Sequence, residues 1–408
     1  MTQLPPSAAV VRSRRTIITT LGVTQIMAWG SSYYLPAVIA PAVAADTGWP
    51  LAWVVGGLSL GLLTAGVISP RVGSSIERHG GRAVLAFSAA CIGLGQIGLA
   101  VAPTLAAYIV AWLVIGLGMG AGLYDAAFGT LGRLYGHGAR SAIMTLTLFG
   151  GFASTICWPI SAFLLGDIGW RGTCVVYAAV QLCFALPLYL VVLPRGVPQP
   201  AAQARPTGAA TPALQIAPNL TIMVVLAATL TLAAVISSTL SVHLLTILQR
   251  SGMTLAAAAG LGALVGPSQV AARTIEMMIA RFHHPIWTKF ASVTFVAIGV
   301  SALWVGIPIV PLALAFYGAG IGLESIARGT LPLALFGSNG YAQLMGRLAM
   351  PSLIAQAAAP SLGALLLERF GAYGTLATLS GLALLNAALA LGLGWLIFSR
   401  RGLQVQPQ

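Results

Sequence analysis

The chain has 408 residues, of which 58% are hydrophobic and 7% are charged, whereas about 25% of an ordinary soluble domain is charged. This composition excludes a soluble globular fold, because so much apolar surface needs a lipid environment. The formal net charge of +13 does not indicate a nucleic-acid partner, since the basic residues sit singly or in small groups at the ends of apolar runs, as is typical of membrane topology.

Long apolar runs recur along the whole chain and are separated by short polar breaks. A bilayer core about 30 Å thick needs about 20 apolar residues per helix, so each run predicts one membrane-spanning helix. The twelve predicted helices cover residues 16–40, 51–70, 83–102, 105–132, 141–165, 172–193, 220–248, 254–280, 286–306, 309–336, 342–367 and 373–398. The sequence therefore predicts an all-α membrane protein.

Basic residues fall mainly on one side of these predicted helices. If the N-terminus is cytoplasmic, fifteen of the twenty lysines and arginines lie at inner helix ends, Lys289 among them, and three lie at outer ends. The remaining two, Arg273 and Arg328, fall inside predicted helices. This distribution predicts a multi-pass protein of the plasma (bacterial inner) membrane with both termini in the cytoplasm.

The middle of the chain divides it into two halves. Residues 195–219 are rich in Pro, Ala and Gln and lack helical periodicity, which predicts a cytoplasmic linker between an N-terminal half (1–194) and a C-terminal half (220–408). The run GMGAGLYDAAFGTL in the fourth predicted helix aligns with GAGIGLESIARGTL in the tenth at an offset of 200 residues. Two six-helix halves with a substrate at their interface are a known transporter plan.

The junction of the second and third predicted helices, GSSIERHGGR from Gly73 to Arg82, resembles the signature loop of the major facilitator superfamily. The shared pattern is a Gly, an acid four residues later followed by Arg, and then Gly and a basic residue; here Glu77 stands where Asp is usual. The resemblance implies two pseudo-symmetric six-helix bundles, alternating access, and a latch of Gly73, Glu77, Arg78 and Arg82 that holds neighbouring helix ends together. A generic positively charged loop is the alternative.

Within this superfamily, the first two predicted helices resemble the oxalate/formate antiporter and monocarboxylate porter branch through the runs YYLP (33–36) and DTGW (46–49). Trp112 stands in the fourth helix where many proton-driven members have Arg. Trp158 and Pro159 replace the Gly and Pro of the antiporter signature in the fifth helix. These departures leave the coupling and the direction of transport open.

Ionisable groups inside a bilayer are costly, so each is a candidate site residue. The eighth predicted helix carries Gln269, Arg273 and Glu276 on one face, at spacing i, i+4, i+7. Arg273 can bind a carboxylate through two hydrogen bonds, and Glu276 can neutralise it when the site is empty. The alternative is a permanent Arg273–Glu276 ion pair that only packs helices.

The tenth and fourth predicted helices carry the other charged candidates. Glu324 and Arg328, at i and i+4, indicate either a binding and coupling pair or a self-paired salt bridge. Asp125 predicts a proton-carrying site if it is unpaired, because a medium of low dielectric favours the protonated carboxyl group. Its alternative is a partner on another helix, for instance Arg140 or Arg347, within a cytoplasmic gate.

Aromatic and amide side chains supply the uncharged candidates. Gln25, Trp29 and Tyr33 recur at i, i+4 and i+8 on the first predicted helix and predict one wall of a polar cavity, with helix packing as the alternative. We expect Tyr124 and Trp158 to add rings to the substrate site, Trp158 as its cap. The alternative is that the Trp158–Pro159 pair only marks a bend in the fifth helix.

Together these residues predict a secondary transporter and no enzyme. We expect a small organic anion bound by Arg273, coupled to protons or to a counter-transported anion, with no cofactor, metal or nucleic acid and with a monomer as the working unit. A drug or metabolite exporter is the alternative, because the membrane carboxylates could attract a cationic or lipophilic solute. A non-transporting solute receptor is a third alternative, and the short linker argues against it.

Overall fold

The computed structural model describes residues 13–195, 219–306 and 309–404, and the backbone in these ranges is helical, with no β-strand. The predicted linker lies outside the described residues except at its two ends. Eight stretches are long and apolar enough to cross a bilayer; Leu105–Val192 holds three helices and Tyr341–Ser399 holds two. With an interrupted helix that begins at Leu255, these stretches give the predicted twelve helices and confirm the all-α class.

The first six helices are numbered α1 to α6. Their bounds are α1, Arg14–Ser31 and Pro36–Thr47; α2, Leu51–His79; α3, Gly81–Val101; α4, Leu105–Gly122 and Tyr124–Tyr135; and α5, Ala139–Gly151 with the part of Ala153–Ala179 before Gly169. Helix α6 takes the rest of that run, a π-helical turn at Val180–Ala185, and Leu186–Val192. Gly169 separates α5 from α6 with φ 71°, a conformation that glycine adopts without steric cost.

The second six helices are numbered α7 to α12. Their bounds are α7, Leu220–Arg250; α8, Leu255–Gly262 and Val265–Ile279; α9, Pro285–Val305; α10, Val310–Phe336; and α11 and α12 within Tyr341–Gln404. Gly371, with φ 65°, ends α11 and begins α12. This half therefore uses a left-handed glycine between its last two helices, as the first half does at Gly169.

The first predicted helix is wrong as one continuous span, because α1 breaks at residues 32–35. The hydroxyl groups of Ser31 and Ser32 donate to carbonyl oxygens one turn back. Pro36 then starts the second segment, where a missing N–H costs nothing. The break places Tyr33 and Tyr34 outside regular helix, in the middle of the membrane span.

Helices α2 and α4 also differ from their predicted bounds. Helix α2 continues through Pro70, which membrane helices tolerate, and ends only before Gly80, whose φ is 87°. The signature segment from Gly73 is therefore mainly helical, and the prediction of a loop there is wrong. Helix α4 is interrupted at Leu123, whose backbone is extended.

Helices α4 and α10 pack alike, which supports the internal repeat. The hydroxyl of Ser88 on α3 donates to the Gly118 carbonyl oxygen at 2.6 Å, and that of Ser292 on α9 donates to the Gly320 carbonyl oxygen at 2.9 Å. A Cβ added at either glycine would clash with the backbone of the neighbouring helix. The glycines that pack alike lie 202 positions apart, so the sequence offset of 200 is wrong for this part of the two helices.

The two six-helix bundles meet at one end of the molecule, which we call the basic end because Arg14, Arg78 and Arg133 lie there. Here α2 packs directly on α11, and Gly73 and Gly346 bring the two backbones into contact. At the opposite end the outer segments of α1 and α8 pack on helices of their own bundles. The described structure is therefore closed at the basic end and open at the other.

Candidate functional site

An aromatic wall forms where α1 breaks. The Trp29 ring lies 5.2 Å from that of Tyr33, 5.9 Å from that of Tyr34 and 5.1 Å from that of Tyr124, measured between centroids. These separations are typical of favourable ring pairs. The structure thus brings three of the predicted ring residues together and adds Tyr34, which the i, i+4 spacing missed because it assumed an unbroken helix.

The aromatic wall is fixed to α4 by Gln25, which is fully buried. Its amide nitrogen donates to the Gly122 carbonyl oxygen at 2.6 Å, and its amide oxygen accepts from the Trp29 indole nitrogen at 3.1 Å. The Gly122 carbonyl precedes the α4 break. Gln25 therefore links the interruption in α4 to the orientation of Trp29 and acts on the site through that ring.

Arg273 of α8 lies between the two bundles and is 5% exposed. Its guanidinium donates to the carbonyl oxygen of Thr147 on α5 at 3.1 Å, to that of Gly322 on α10 at 3.2 Å, and to the amide oxygen of Gln269 at 3.2 Å. All three acceptors are uncharged. Among the residues that the structure describes, no carboxylate pairs with this arginine.

The predicted Arg273–Glu276 pair is wrong, because Glu276 has other partners. Its carboxylate accepts from the Thr288 hydroxyl at 2.6 Å and lies 3.4 Å from the His283 ring nitrogen. Arg140 of the other bundle donates to the His283 carbonyl oxygen at 3.0 Å. Glu276 therefore belongs to a polar contact between α5 and the turn that joins α8 to α9.

Asp125 is paired, so the prediction that it is free is wrong. Both of its carboxylate oxygens accept from the Arg328 guanidinium at 2.8 Å, with side-chain exposures of 18% for Arg328 and 16% for Asp125. The alternative of a partner on another helix is confirmed, although the partner is neither Arg140 nor Arg347. This bidentate pair joins α4 to α10 and closes the bundles against each other.

Glu324 does not pair with Arg328, and the predicted self-paired bridge on α10 is also wrong. Its carboxylate accepts from the Lys289 ammonium at 2.6 Å and from the Ser292 hydroxyl at 2.8 Å, both on α9. Lys289 is fully buried, so its expected place at an inner helix end is wrong as well. The helix start at Pro285 could have indicated this, because it places Lys289 one full turn inside the span.

The signature segment contacts the start of α11. A Glu77 carboxylate oxygen accepts from the Ala342 backbone N–H at 3.2 Å, and Gly73 allows the close approach of the two helices. The Arg78 side chain is exposed, and its carbonyl oxygen accepts from Arg133 at 3.4 Å. Arg82 lines a small cleft at the start of α3.

Above the aromatic wall, toward the open end, lies a cleft of about 520 Å³. Trp158, which is 46% exposed, lines it and lies 5.9 Å from the Tyr34 ring. The Tyr33 hydroxyl accepts from the Gln356 amide of α11 at 3.2 Å, a partner that the sequence alone did not indicate. The cleft is thus continuous with the aromatic wall through Trp158 and Tyr34, and its lining residues belong to α1 and α5 of the first bundle.

The fold and these contacts agree with the comparisons with known proteins. The family model for the Major Facilitator Superfamily matches residues 21–276. The chain belongs to this superfamily. It is therefore a multi-pass membrane transporter of small solutes and not an enzyme, and alternating access is characteristic of its fold.

Solved structures of other superfamily transporters share this fold at low identity. The human organic anion transporter MFSD10 (TETRAN) aligns with a TM-score of 0.71 and 16% identity, over 92% of this chain and 99% of that one. The proton:xylose symporter XylE aligns at 0.69 and 13% identity, over 92% and 94% of the two chains. The E. coli fucose:proton symporter FucP aligns at 0.67 and 13%, over 92% and 99%.

One curated relative aligns over part of its length. It is an uncharacterized 38 kDa protein in the 23S RNA operon of Thermoproteus tenax, 30% identical over 175 residues, which are 42% of this chain and 46% of that protein. The alignment thus spans less than half of the relative. The resemblance to the oxalate/formate and monocarboxylate branch stays a prediction.

Proposed function

We propose that this transporter carries a small organic anion that binds Arg273. An arginine at the centre of a membrane helix costs about 2.5–3.5 kcal/mol, and a buried cation without a counter-charge is strongly unfavourable. The observation that carries the proposal is that Arg273 is buried between the bundles and bonds only neutral oxygen atoms. A carboxylate would supply the missing negative charge and two strong hydrogen bonds.

In this scheme Arg273 also couples binding to movement. Its guanidinium donates to Thr147 in one bundle and to Gly322 in the other. An anion that binds these N–H groups therefore weakens the contact between the two bundles. The open end admits the solute, and separation of α2 from α11 at the basic end releases it. The basic end is proposed to face the cytoplasm, by the excess of positive charge, in the plasma membrane and in a monomer with halves at 1–194 and 220–408.

Coupling is proposed to use either a proton or a counter-transported anion. A proton on Asp125 would remove the charge that holds Arg328, and so loosen the closed end. Glu276 and Glu324 stay further coupling candidates. Uptake driven by a pH gradient and abolished by a protonophore would support the proton, whereas uptake that needs internal anion and ignores the protonophore would support exchange.

The test uses the purified full-length protein in proteoliposomes with labelled monocarboxylates and dicarboxylates. Arg273→Ala should lower uptake about 10- to 100-fold, since hydrogen bonds to charged groups are worth about 1.5–3 kcal/mol. Arg273→Lys should keep part of the activity, because it retains the charge but loses the planar fork. Arg369→Ala, an exposed arginine on α11, is the matched control and should transport normally.

Undiminished carboxylate uptake by Arg273→Ala would refute the anion site. The drug or metabolite exporter is less well supported, because the three carboxylates on which it depends each have a partner: Arg328 for Asp125, Lys289 for Glu324, and Thr288 with His283 for Glu276. Efflux of lipophilic cations by proteoliposomes, with no effect of carboxylates, would favour that alternative.

A further inference from the structure

Two cations are almost fully buried in the described membrane helices, Lys289 and Arg273, and of these only Arg273 has no carboxylate partner. Asp125 binds Arg328 and Glu324 binds Lys289. Glu276 is held by Thr288 and His283, and Arg273 bonds only neutral oxygens. The site between the bundles therefore matches one negative charge. A second carboxylate on the same solute would be desolvated without a cation, which is strongly unfavourable.

The surface beside this charge is aromatic. The Tyr124 hydroxyl and the Arg273 guanidinium both donate to the Thr147 carbonyl oxygen, at 3.4 Å and 3.1 Å. Tyr124 and Tyr34 both contact the Trp29 ring. The Trp29 ring is tilted at 37° to that of Tyr34 and at 55° to that of Tyr124. Phe128 stacks on one face of the Tyr124 ring, whereas the tilted Trp29 and Tyr34 rings do not cover each other's faces. Because Trp29, Tyr34 and Tyr124 are only half-buried, a further flat ring can pack beside them.

The cleft next to these rings suits a small solute with few polar groups beyond its carboxylate. The cleft that begins at Trp158 measures about 520 Å³ and is lined mainly by apolar groups of α1 and α5, including Ala37, Val38 and Pro159. This volume lies in the usual range for small-molecule sites. A second carboxylate pointing into the cleft would meet the Trp158 ring and these apolar side chains.

We infer that the solute is an aromatic monocarboxylate: its single carboxylate binds Arg273 and its flat ring packs on Trp29, Tyr34 and Tyr124. The inference rests on the proposed anion transport and narrows it. It excludes dicarboxylates by charge and favours planar over saturated rings by shape. Trp29 then determines specificity, and Gln25 positions it through the indole hydrogen bond.

Four probes separate charge from ring shape in binding to the purified full-length protein, measured calorimetrically at pH 8, where the acids are ionised. They are benzoate, cyclohexanecarboxylate, terephthalate and benzamide. Benzoate should bind best. Cyclohexanecarboxylate should bind about three- to tenfold more weakly for want of ring stacking, terephthalate at least about tenfold more weakly, and benzamide should not bind.

Variants then assign the ring preference to Trp29. Trp29→Leu should reduce the preference for benzoate over cyclohexanecarboxylate to about onefold while both still bind through Arg273. Trp29→Phe should restore part of it, which a merely structural role of the indole would not do. Trp53→Leu, on α2 at 59% exposure, is the matched control and should keep the preference.

Terephthalate binding as tightly as benzoate would overturn the inference, and so would equal binding of the two monocarboxylates to the unaltered protein. The proposed anion transport would survive either result if proteoliposomes still took up a carboxylate in an Arg273-dependent way. Failure of the proteoliposomes to take up any carboxylate would refute both the aromatic monocarboxylate inference and the proposed anion transport.

Discussion

Helices α4 and α10 carry the same repeated sequence and pack through equivalent glycines, yet their carboxylates have different partners. Asp125 on α4 binds Arg328 of the opposite bundle, whereas Glu324 on α10 binds Lys289 of its own bundle. The first pair has to open when the basic end opens. The second pair lies within one bundle, so opening of the basic end does not require it to separate.

The break in α4 accounts for this difference. Gly120 and Gly322 pack alike on α2 and α8, and Gly129 aligns in sequence with Gly329. Between these glycines α4 has two more residues than α10, and the interruption at Leu123 lies among them. The two extra residues redirect the chain, so that Asp125, in the first turn of the short helix that begins at Tyr124, faces Arg328 of the other bundle.

One copy of the repeat thus carries an ion pair between the bundles, while its counterpart carries an ion pair within one bundle. A buried ion pair adds little net stability compared with apolar packing, but removal of one partner is costly because the other charge stays buried. Variants of the two pairs should therefore both lose stability. Only those at Asp125 and Arg328 should also change how often the basic end opens.

The largest effect is expected from Asp125→Asn, which leaves Arg328 buried without its counter-charge. Stability of the closed state should fall by about 3–5 kcal/mol. A cysteine at Met144, which packs on Ala280 and Ile326 where the bundles meet, reports opening through its maleimide labelling rate. The reporter should be placed in a Cys183→Ser background, since Cys183 is exposed.

Asp125→Asn should raise this labelling rate strongly. The charge-reversed double variant Asp125→Arg with Arg328→Asp should recover part of the closed state, because it restores opposite charges on α4 and α10. If Met144→Cys labelled at the same slow rate with and without Asp125→Asn, the pair would not be a gate.

A smaller effect is expected from Lys289→Met, which removes the buried ammonium from the bundle interior. Thermal stability in detergent should fall by about 3 kcal/mol, because Glu324 keeps the Ser292 hydroxyl but loses its cation. The double variant Lys289→Met with Glu324→Gln should be more stable than Lys289→Met alone. Faster labelling of Met144→Cys in Lys289→Met would contradict the assignment of this pair to one bundle.

A third and more local effect concerns the contact of α2 with α11. A methyl group at Gly346 would clash with the backbone of Ser69 and Gly73, so Gly346→Ala should force the helices apart at a cost of about 1–3 kcal/mol to the closed state. The labelling rate of Met144→Cys should rise by the factor that this loss of free energy gives for the population of the open state. Gly392→Ala on α12, where a Cβ meets no neighbour, should leave the rate unchanged.

Most of the fold could be predicted because it follows from local composition. Apolar runs set the number of helices, and the i, i+4 spacing placed Gln269 and Arg273 on one helix face, where a hydrogen bond of 3.2 Å joins them. The same holds for Gln25 and Trp29, joined at 3.1 Å. Contacts within one helix depend only on the helical period.

The partners of the membrane charges could not be predicted, since they depend on how distant helices face one another. Asp125 and Arg328 lie on different bundles, 203 positions apart. The i, i+4 rule pointed instead to Glu324 as the partner of Arg328. Lys289 was misplaced for a different reason: a cation near a helix end is normally drawn to the membrane surface, and only the contacts with Glu324 and Thr229 draw it inward.

The smallest effect is expected at the signature segment. It measures how much the contact of Glu77 with Ala342 contributes to the stability of the closed state. Glu77 accepts from the Ala342 N–H, one of the free donors at the start of α11. Glu77→Gln keeps an acceptor but loses its charge, so the closed state should weaken by about 0.3–1 kcal/mol, less at high salt.

Arg78→Ala is the matched comparison, because that side chain is exposed and only its carbonyl oxygen makes a described contact with Arg133. It should change the labelling rate of Met144→Cys less than Glu77→Gln does. A larger effect of Arg78→Ala would mean that the charge of this segment acts through the arginine. The basic end would then be closed by a second charged interaction, at Arg78 on α2, in addition to the Asp125–Arg328 pair between α4 and α10.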